Sequence, residues 1–189
     1  AMAAWGGRRP MFGTNPIAFG VPVGSAGDPV IIDLALSKVA RGKIMAAKQK
    51  GVEIPDDWAF DTDGNPTTDP VKALDGTMVP AGGVKGAALA MMVELLAAGL
   101  TGAQFGHQSS SLFDDKGKPP ALGQMIIAID PASTGGAGVM DHLAAIANEI
   151  AAEDGVRLPG RRGKSARAIA EVDGLEIEDD VMSAIEAIT

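Results

Sequence analysis

Cysteine is absent from the 189-residue chain. That excludes disulfides, thiolate metal ligands and a thiol nucleophile, and it suits a reducing compartment. Tyrosine is absent as well, and five Phe and two Trp are the whole aromatic complement. The core must therefore come from Ala, Leu, Ile, Val and the nine Met. Two His are too few for a multi-histidine metal site, and no ordered calcium-loop series is present, so no metal is expected. No stretch approaches the ~18 consecutive apolar residues of a membrane helix. The opening AMAAWGGRRP lacks the basic-then-apolar order of a signal peptide. A cytoplasmic protein without a membrane partner is the expectation. Lys and Arg number 16 against 24 Asp and Glu, a net charge of −8. With no basic stripe, a nucleic-acid partner is not expected. G-x-G-x-x-G, G-x-x-x-x-G-K-[ST], H-E-x-x-H and G-x-S-x-G are all missing, so the common dinucleotide, phosphate, zinc-protease and hydrolase signatures say nothing here.

What is present is apolar and turn-rich. Hydrophobic residues make 46% of the chain, with 25 Gly and 12 Pro, which suits one domain, or one and a small appendage, with many loops. Residues 17–23 and 30–33 flank a Gly- and Pro-bearing turn and read as a hairpin of buried strands. Residues 36–49 read as a helix capped by Ser37 and stopped by Gly51. In the turn-rich stretch 51–80, Thr67-Thr68-Asp69-Pro70 opens a turn or a short helix. Residues 87–100 carry one charge, Glu94, and read as a buried helix. Residues 105–120 read as a mobile loop, and 124–130 (QMIIAID) as a central strand. Helices are expected at 139–154, 164–172 and 178–188. These elements predict an α/β (α+β) fold with a mixed β-sheet flanked by helices.

Three constellations offer chemistry. Gly82-Gly83-Val84-Lys85-Gly86 opens the apolar helix, where free N–H groups attract an anion and oppose Lys85 unless a negative ligand lies near; the plainer alternative is a surface lysine in a turn. Leu158-Pro159-Gly160-Arg161-Arg162-Gly163-Lys164 concentrates cations that suit a phosphate, or else forms a solvated basic turn. Gly13-Thr14-Asn15-Pro16 offers uncharged hydrogen bonds for a carboxylate or amide, or ordinary turn chemistry. His107 reads as a surface residue and His142 as a helix-edge one.

In order along the chain, WGGRRPMFGTNPIAFGVP, VIIDLALSKVARGKI, GNPTTDPVKALDGTMVPAGGVKGAALAMMVELLAAGLTGA, GQMIIAID and VRLPGRR resemble the malate/L-lactate dehydrogenase-like family of NAD(P)-dependent 2-oxoacid oxidoreductases. The blocks span nearly the whole chain. The resemblance implies a non-Rossmann nicotinamide-binding fold. It implies a cofactor-binding mixed-sheet domain over 1–135 and a helical segment over 136–189. It places Ile31, Ile32, Asp33, Leu34 and Ala35 along the cofactor, with Asp33 accepting from ribose hydroxyls. It puts Val84 and Lys85 at the cofactor, Gly160, Arg161 and Arg162 over it, and Thr14, Asn15 and Lys85 near the nicotinamide and substrate. The cofactor implied is NAD or NADP, with adjacent arginines leaning to NADP. The reaction implied is hydride transfer between NAD(P)H and a 2-oxo or 2-hydroxy acid, or a cyclic imine carboxylate.

One departure matters. The family's proton donor is a His in a Ser-His pair upstream of the region matched here, and neither His107 nor His142 lies in that motif. No catalytic residue is therefore assigned within this chain, and Ala1 reads as a cut edge. The expectation is a dehydrogenase portion that needs the missing N-terminal region for catalysis, working as a homodimer or with a complementary N-terminal chain. The alternative is a non-catalytic nucleotide-binding or assembly module.

Overall fold

The computed structural model describes residues 1–23, 28–113 and 116–188. Among them the strands are β1 (Met2–Ala3), β2 (Pro10–Phe12), β3 (Ile17–Val21), β4 (Val30–Leu34), β5 (Ala59–Phe60) and β6 (Thr77–Met78). The helices are α1 (Arg41–Lys50), α2 (Pro70–Asp75), α3 (Val84–Glu94), α4 (Pro131–Gly135), α5 (Val139–Ala151), α6 (Arg161–Asp173) and α7 (Asp179–Glu186), with a π-helical turn at Leu95–Gly99 directly after α3. The chain divides into two compact units, Ala1–Ala18 with Asp33–Ile129, and Phe19–Ile32 with Asp130–Thr189. The stretch from Phe19 to Ile32 thus groups with the C-terminal helices. No helix among the described residues is long and apolar enough to cross a membrane.

The first unit holds a four-stranded sheet in the order β2-β1-β6-β5. β1 runs antiparallel to β2 and parallel to β6, while β5 and β6 are antiparallel, so the sheet is mixed. Met2 faces Phe12 on one side and Met78 on the other. These three join Leu36, Val39, Ile44, Ile54, Ala59, Ala73 and Ala90 in the core, much of it aliphatic and Met-built as a chain poor in aromatics requires.

Local chemistry explains where the helices begin. Ahead of α2, the Asp69 carboxylate accepts from the Val71 and Lys72 amides, and Pro70 takes the first helical position. The helix expected at 36–49 starts only at Arg41. Residues 36–38 are committed to other pairings: the Lys38 amide donates to Val79 O at 2.7 Å, Ser37 bridges Pro80, and the Ser37 hydroxyl donates to Val39 O rather than capping a helix. Gly51 closes α1 as expected.

Three burial expectations fail. β3 and β4 pair in a two-stranded sheet, as the hairpin reading requires, although residues 24–27 of its turn lie outside the described residues. The strands are not buried, and Phe19, Ile31 and Leu34 are exposed. A two-stranded ribbon has no neighbouring strand to cover it, and only its Val21 and Val30 pack on the small cluster Val23, Ala147 and Leu158. Helix α3 buries one face only. Gly86, Ala87, Ala90 and Glu94 are inside, while Leu89, Met91 and Met92 are exposed. Small residues let the helix backbone approach its neighbours, so the bulky side chains lie on the other face. Residues 124–130 form no strand. The segment joins neither edge of the sheet, and Ile126 is 88% exposed; an apolar run cannot be a strand without a backbone neighbour.

In the second unit, α5, α6 and α7 fall at or close to the expected stretches. Asp179 and Asp180 occupy the first turn of α7, where acids complement the helix dipole.

Candidate functional site: two hydrogen-bonded junctions

In the first unit, three segments distant in sequence meet at the backbone of Leu36. The Leu36 amide donates to Thr14 O at 2.8 Å, and Leu36 O accepts from the Ala81 amide at 2.8 Å. Thr14–Asn15, Asp33–Ala35 and the loop leading to Val84–Lys85 are thereby brought to one junction. Asp33, Leu34, Val84 and Lys85 are exposed there, and Ala35 and Thr14 are half-buried. Val84 and Lys85 are the first two residues of α3, whose N-cap is Gly83. The Trp5 ring lies against Gly83, 3.4 Å from where a β-carbon would sit. Trp5 is 62% exposed; a flat aromatic face beside a helix N-terminus suits a ring-bearing anionic ligand.

Asn15 is held rather than free. Its φ of 42° places it in the left-handed region, which Asn adopts more readily than most residues with a side chain. Its Nδ2 donates to Ala90 O at 2.7 Å and to Glu94 Oε2 at 2.8 Å. The other oxygen, Glu94 Oε1, accepts from the Gly106 amide at 2.5 Å. Glu94 is 7% exposed, and these bonds satisfy a carboxylate that burial would otherwise penalise. Asn15 and Glu94 line a cleft of about 740 Å³ with Met92, Gln104 and Ile126. Sequence reasoning noted Glu94 only as a lone charge. The signal for its role was that isolated acid in an apolar helix, which a buried position has to pair. His107 is exposed and stacks on Phe105, with ring centroids 6.1 Å apart.

In the second unit, the basic turn docks on β4. The Ile31 amide points at Pro159 O, 3.5 Å away. Gly160, with φ of 87°, packs so closely that a β-carbon would lie 3.1 Å from that of Ile31; only glycine meets both demands. Ile31 and Arg162 are exposed, and Ile32 and Arg161 half-buried. Arg161 Nη1 reaches Asp28 Oδ2 at 2.7 Å, and Lys164 Nζ reaches Asp28 Oδ1 at 2.6 Å. The hydrogen bond from Lys164, outweighing some desolvation and aided by the Lys164 and Arg161 charges, holds the Asp28 carboxyl below its ordinary 3.8. Asp28 was not among the residues singled out from the sequence; its separation from Arg161 by 133 positions hides the pairing. No group of His, Asp and Glu suited to a metal occurs among the described residues.

The malate/L-lactate dehydrogenase family model matches residues 1–186. The chain is 50% identical over 187 residues to a (2R)-3-sulfolactate dehydrogenase (NADP(+)) of Chromohalobacter salexigens, covering 99% of this chain and 55% of the relative. It is 42% identical to a Δ1-pyrroline-2-carboxylate reductase of Ancylobacter novellus, with coverage of 99% and 55%. Among solved structures, the Δ1-piperideine-2-carboxylate reductase of Pseudomonas syringae pv. tomato matches with a TM-score of 0.84 and 36% identity, over all of this chain and 57% of that one. The chain thus spans about half the length of the curated relatives it matches. With a sheet, helices and sequence blocks that align from end to end, the chain belongs to the malate/L-lactate dehydrogenase family.

Proposed function

We propose that this chain is the cofactor-holding portion of an NADP-preferring oxidoreductase acting on a 2-oxo acid, a 2-hydroxy acid or a cyclic imine carboxylate. The observation that carries the reading is the junction at Leu36, where hydrogen bonds tie Thr14 and Ala81 to the end of β4. It presents Asp33, Val84 and Lys85 on exposed backbone beside an aromatic ring. The relative's NADP(+) dependence and the paired arginines at the start of α6 support the lean to NADP.

Residues of the chain have distinct proposed roles. Asp33 accepts hydrogen bonds from ribose hydroxyls. The positive end of α3 and Lys85 attract negative charge, with Val84 against the same ligand. Gly160 allows close approach of its turn, and Arg161 and Arg162 supply charge for phosphate. Ile31, Ile32, Leu34 and Ala35 give apolar and backbone surface. Thr14 and Asn15 shape the substrate end, with Asn15 fixed in place by Glu94. When bound, the nicotinamide supplies the hydride. No residue of this chain is assigned to proton transfer; that group belongs, in this proposal, to a complementary N-terminal region. A cytoplasmic location and assembly as a homodimer, or with such a complementary chain, complete the proposal.

The test is NADPH oxidation with a panel of 2-oxo acids and cyclic imine carboxylates. The 189-residue chain is assayed alone and then with a supplied N-terminal fragment from a full-length relative. Turnover on addition of the fragment is the expected result. Nucleotide binding without turnover in either case favours the non-catalytic module instead.

A further inference from the structure

We propose that Asp28 is a specificity-determining residue, whose carboxylate offsets the charge of Arg161 and Lys164 and leaves Arg162 as the cation that distinguishes NADP from NAD. The inference rests on the cofactor reading given above and adds to it a residue that opposes phosphate.

The turn at 158–164 carries three cations, and they are not equivalent. Arg161 and Lys164 both converge on Asp28, with contacts of 2.7 Å from Arg161 and of 2.6 and 2.7 Å from Lys164. Both oxygens of the Asp28 carboxylate are engaged by Arg161 and Lys164, so the carboxylate sits beside the same two cations that an incoming phosphate would meet. Arg162 is exposed and makes no ion pair among the described residues. A 2′-phosphate bears about two negative charges near neutral pH, so a fixed carboxylate beside its binding cations repels it. NADH lacks that phosphate and is nearly indifferent to the same charge. The ion pairs also hold the Arg161 guanidinium in one place, so Asp28 lowers the attraction for phosphate while ordering the turn. The shape needed to bring Asp28 here is built in: the turn leans on Ile31 through Gly160, close in sequence to Asp28.

The test compares dissociation constants of NADPH and NADH for the 189-residue chain and for Asp28→Asn, by nucleotide fluorescence at low salt. Asp28→Asn keeps the size and hydrogen-bonding capacity of the side chain and removes the charge. The expected result is a preference for NADPH over NADH raised about threefold or more, with the gain shrinking at high salt as the charges are screened. Arg162→Ala should move the same ratio the other way by about tenfold. An unchanged or lowered ratio in Asp28→Asn overturns the proposal, since a purely structural role would weaken both nucleotides alike. A ratio unmoved by Arg162→Ala overturns the assignment of Arg162. Failure of the unmodified chain to bind either nucleotide overturns the cofactor reading itself, and this inference with it.

Discussion

At the scale of single residues, the interior is governed by a few polar atoms. Glu94 satisfies the Asn15 side-chain amide and the Gly106 backbone amide at once. Replacing it with Ala leaves the Gly106 amide and one of the two Asn15 amide hydrogens unpaired, the other still donating to Ala90 O, which costs about 2 to 4 kcal/mol. Denaturant unfolding should show that loss, and Glu94→Gln should lose less because it still accepts one hydrogen bond. Thr77 is the opposite case. It is 1% exposed, and its hydroxyl has no hydrogen-bond partner. Thr77→Val keeps the branched shape on β6 and removes the orphaned group, so the protein should gain about 1 kcal/mol, read as a raised Tm. Asp28 makes a pH statement. Its folded value is lowered below 3.8, so its stabilising contribution is present above the ordinary carboxylate range. It is lost as pH falls through the lowered folded value. A carbon-detected NMR titration should give Asp28 a midpoint under 3.8, and Lys164→Ala should move that midpoint up.

At the scale of elements, what could be read from the sequence was mostly chemistry local to a turn. The Asp69-Pro70 start of α2 was legible because cap and proline act on their own neighbours. Gly51 was legible as a stop for the same reason. The start of α1 was not: Leu36, Ser37 and Lys38 fit a helical spacing, but their backbones pair with Thr14, Pro80 and Val79, which no local pattern reveals. QMIIAID has the composition of a strand, yet a strand exists only with a partner. Helix α3 looked buried all round because its large residues are apolar; its buried face is instead made of the smallest ones. That close packing gives a sharp test. A β-carbon on Gly86 would lie 1.8 Å from Ala81 O, so Gly86→Ala forces backbone apart and should cost about 3 kcal/mol. The same change at Gly42, with nothing within 4 Å, should be neutral or slightly favourable. Thermal unfolding of the two variants side by side separates packing from helix propensity. Of the candidate site, the segments themselves were legible as family blocks; their junction at Leu36 and the role of Asp28 were not, because both are made by residues far apart in the chain.

At the scale of the whole molecule, composition and topology agree. A chain without cysteine and with few aromatics builds its first unit on Met, Leu, Ile and Ala around a mixed sheet. The chain belongs to the malate/L-lactate dehydrogenase family, and the nicotinamide contacts proposed for it come from loops other than a G-x-G-x-x-G turn. Direct titration tests the proposed binding of NADP by these 189 residues without any need for turnover. NADPH fluorescence titrated against the chain should give saturable binding, tighter than for NADH, and replacing Arg161 and Arg162 together with Ala should remove most of that preference. Absence of saturable binding of either nucleotide at millimolar concentration, by a chain shown to be folded, would contradict the account.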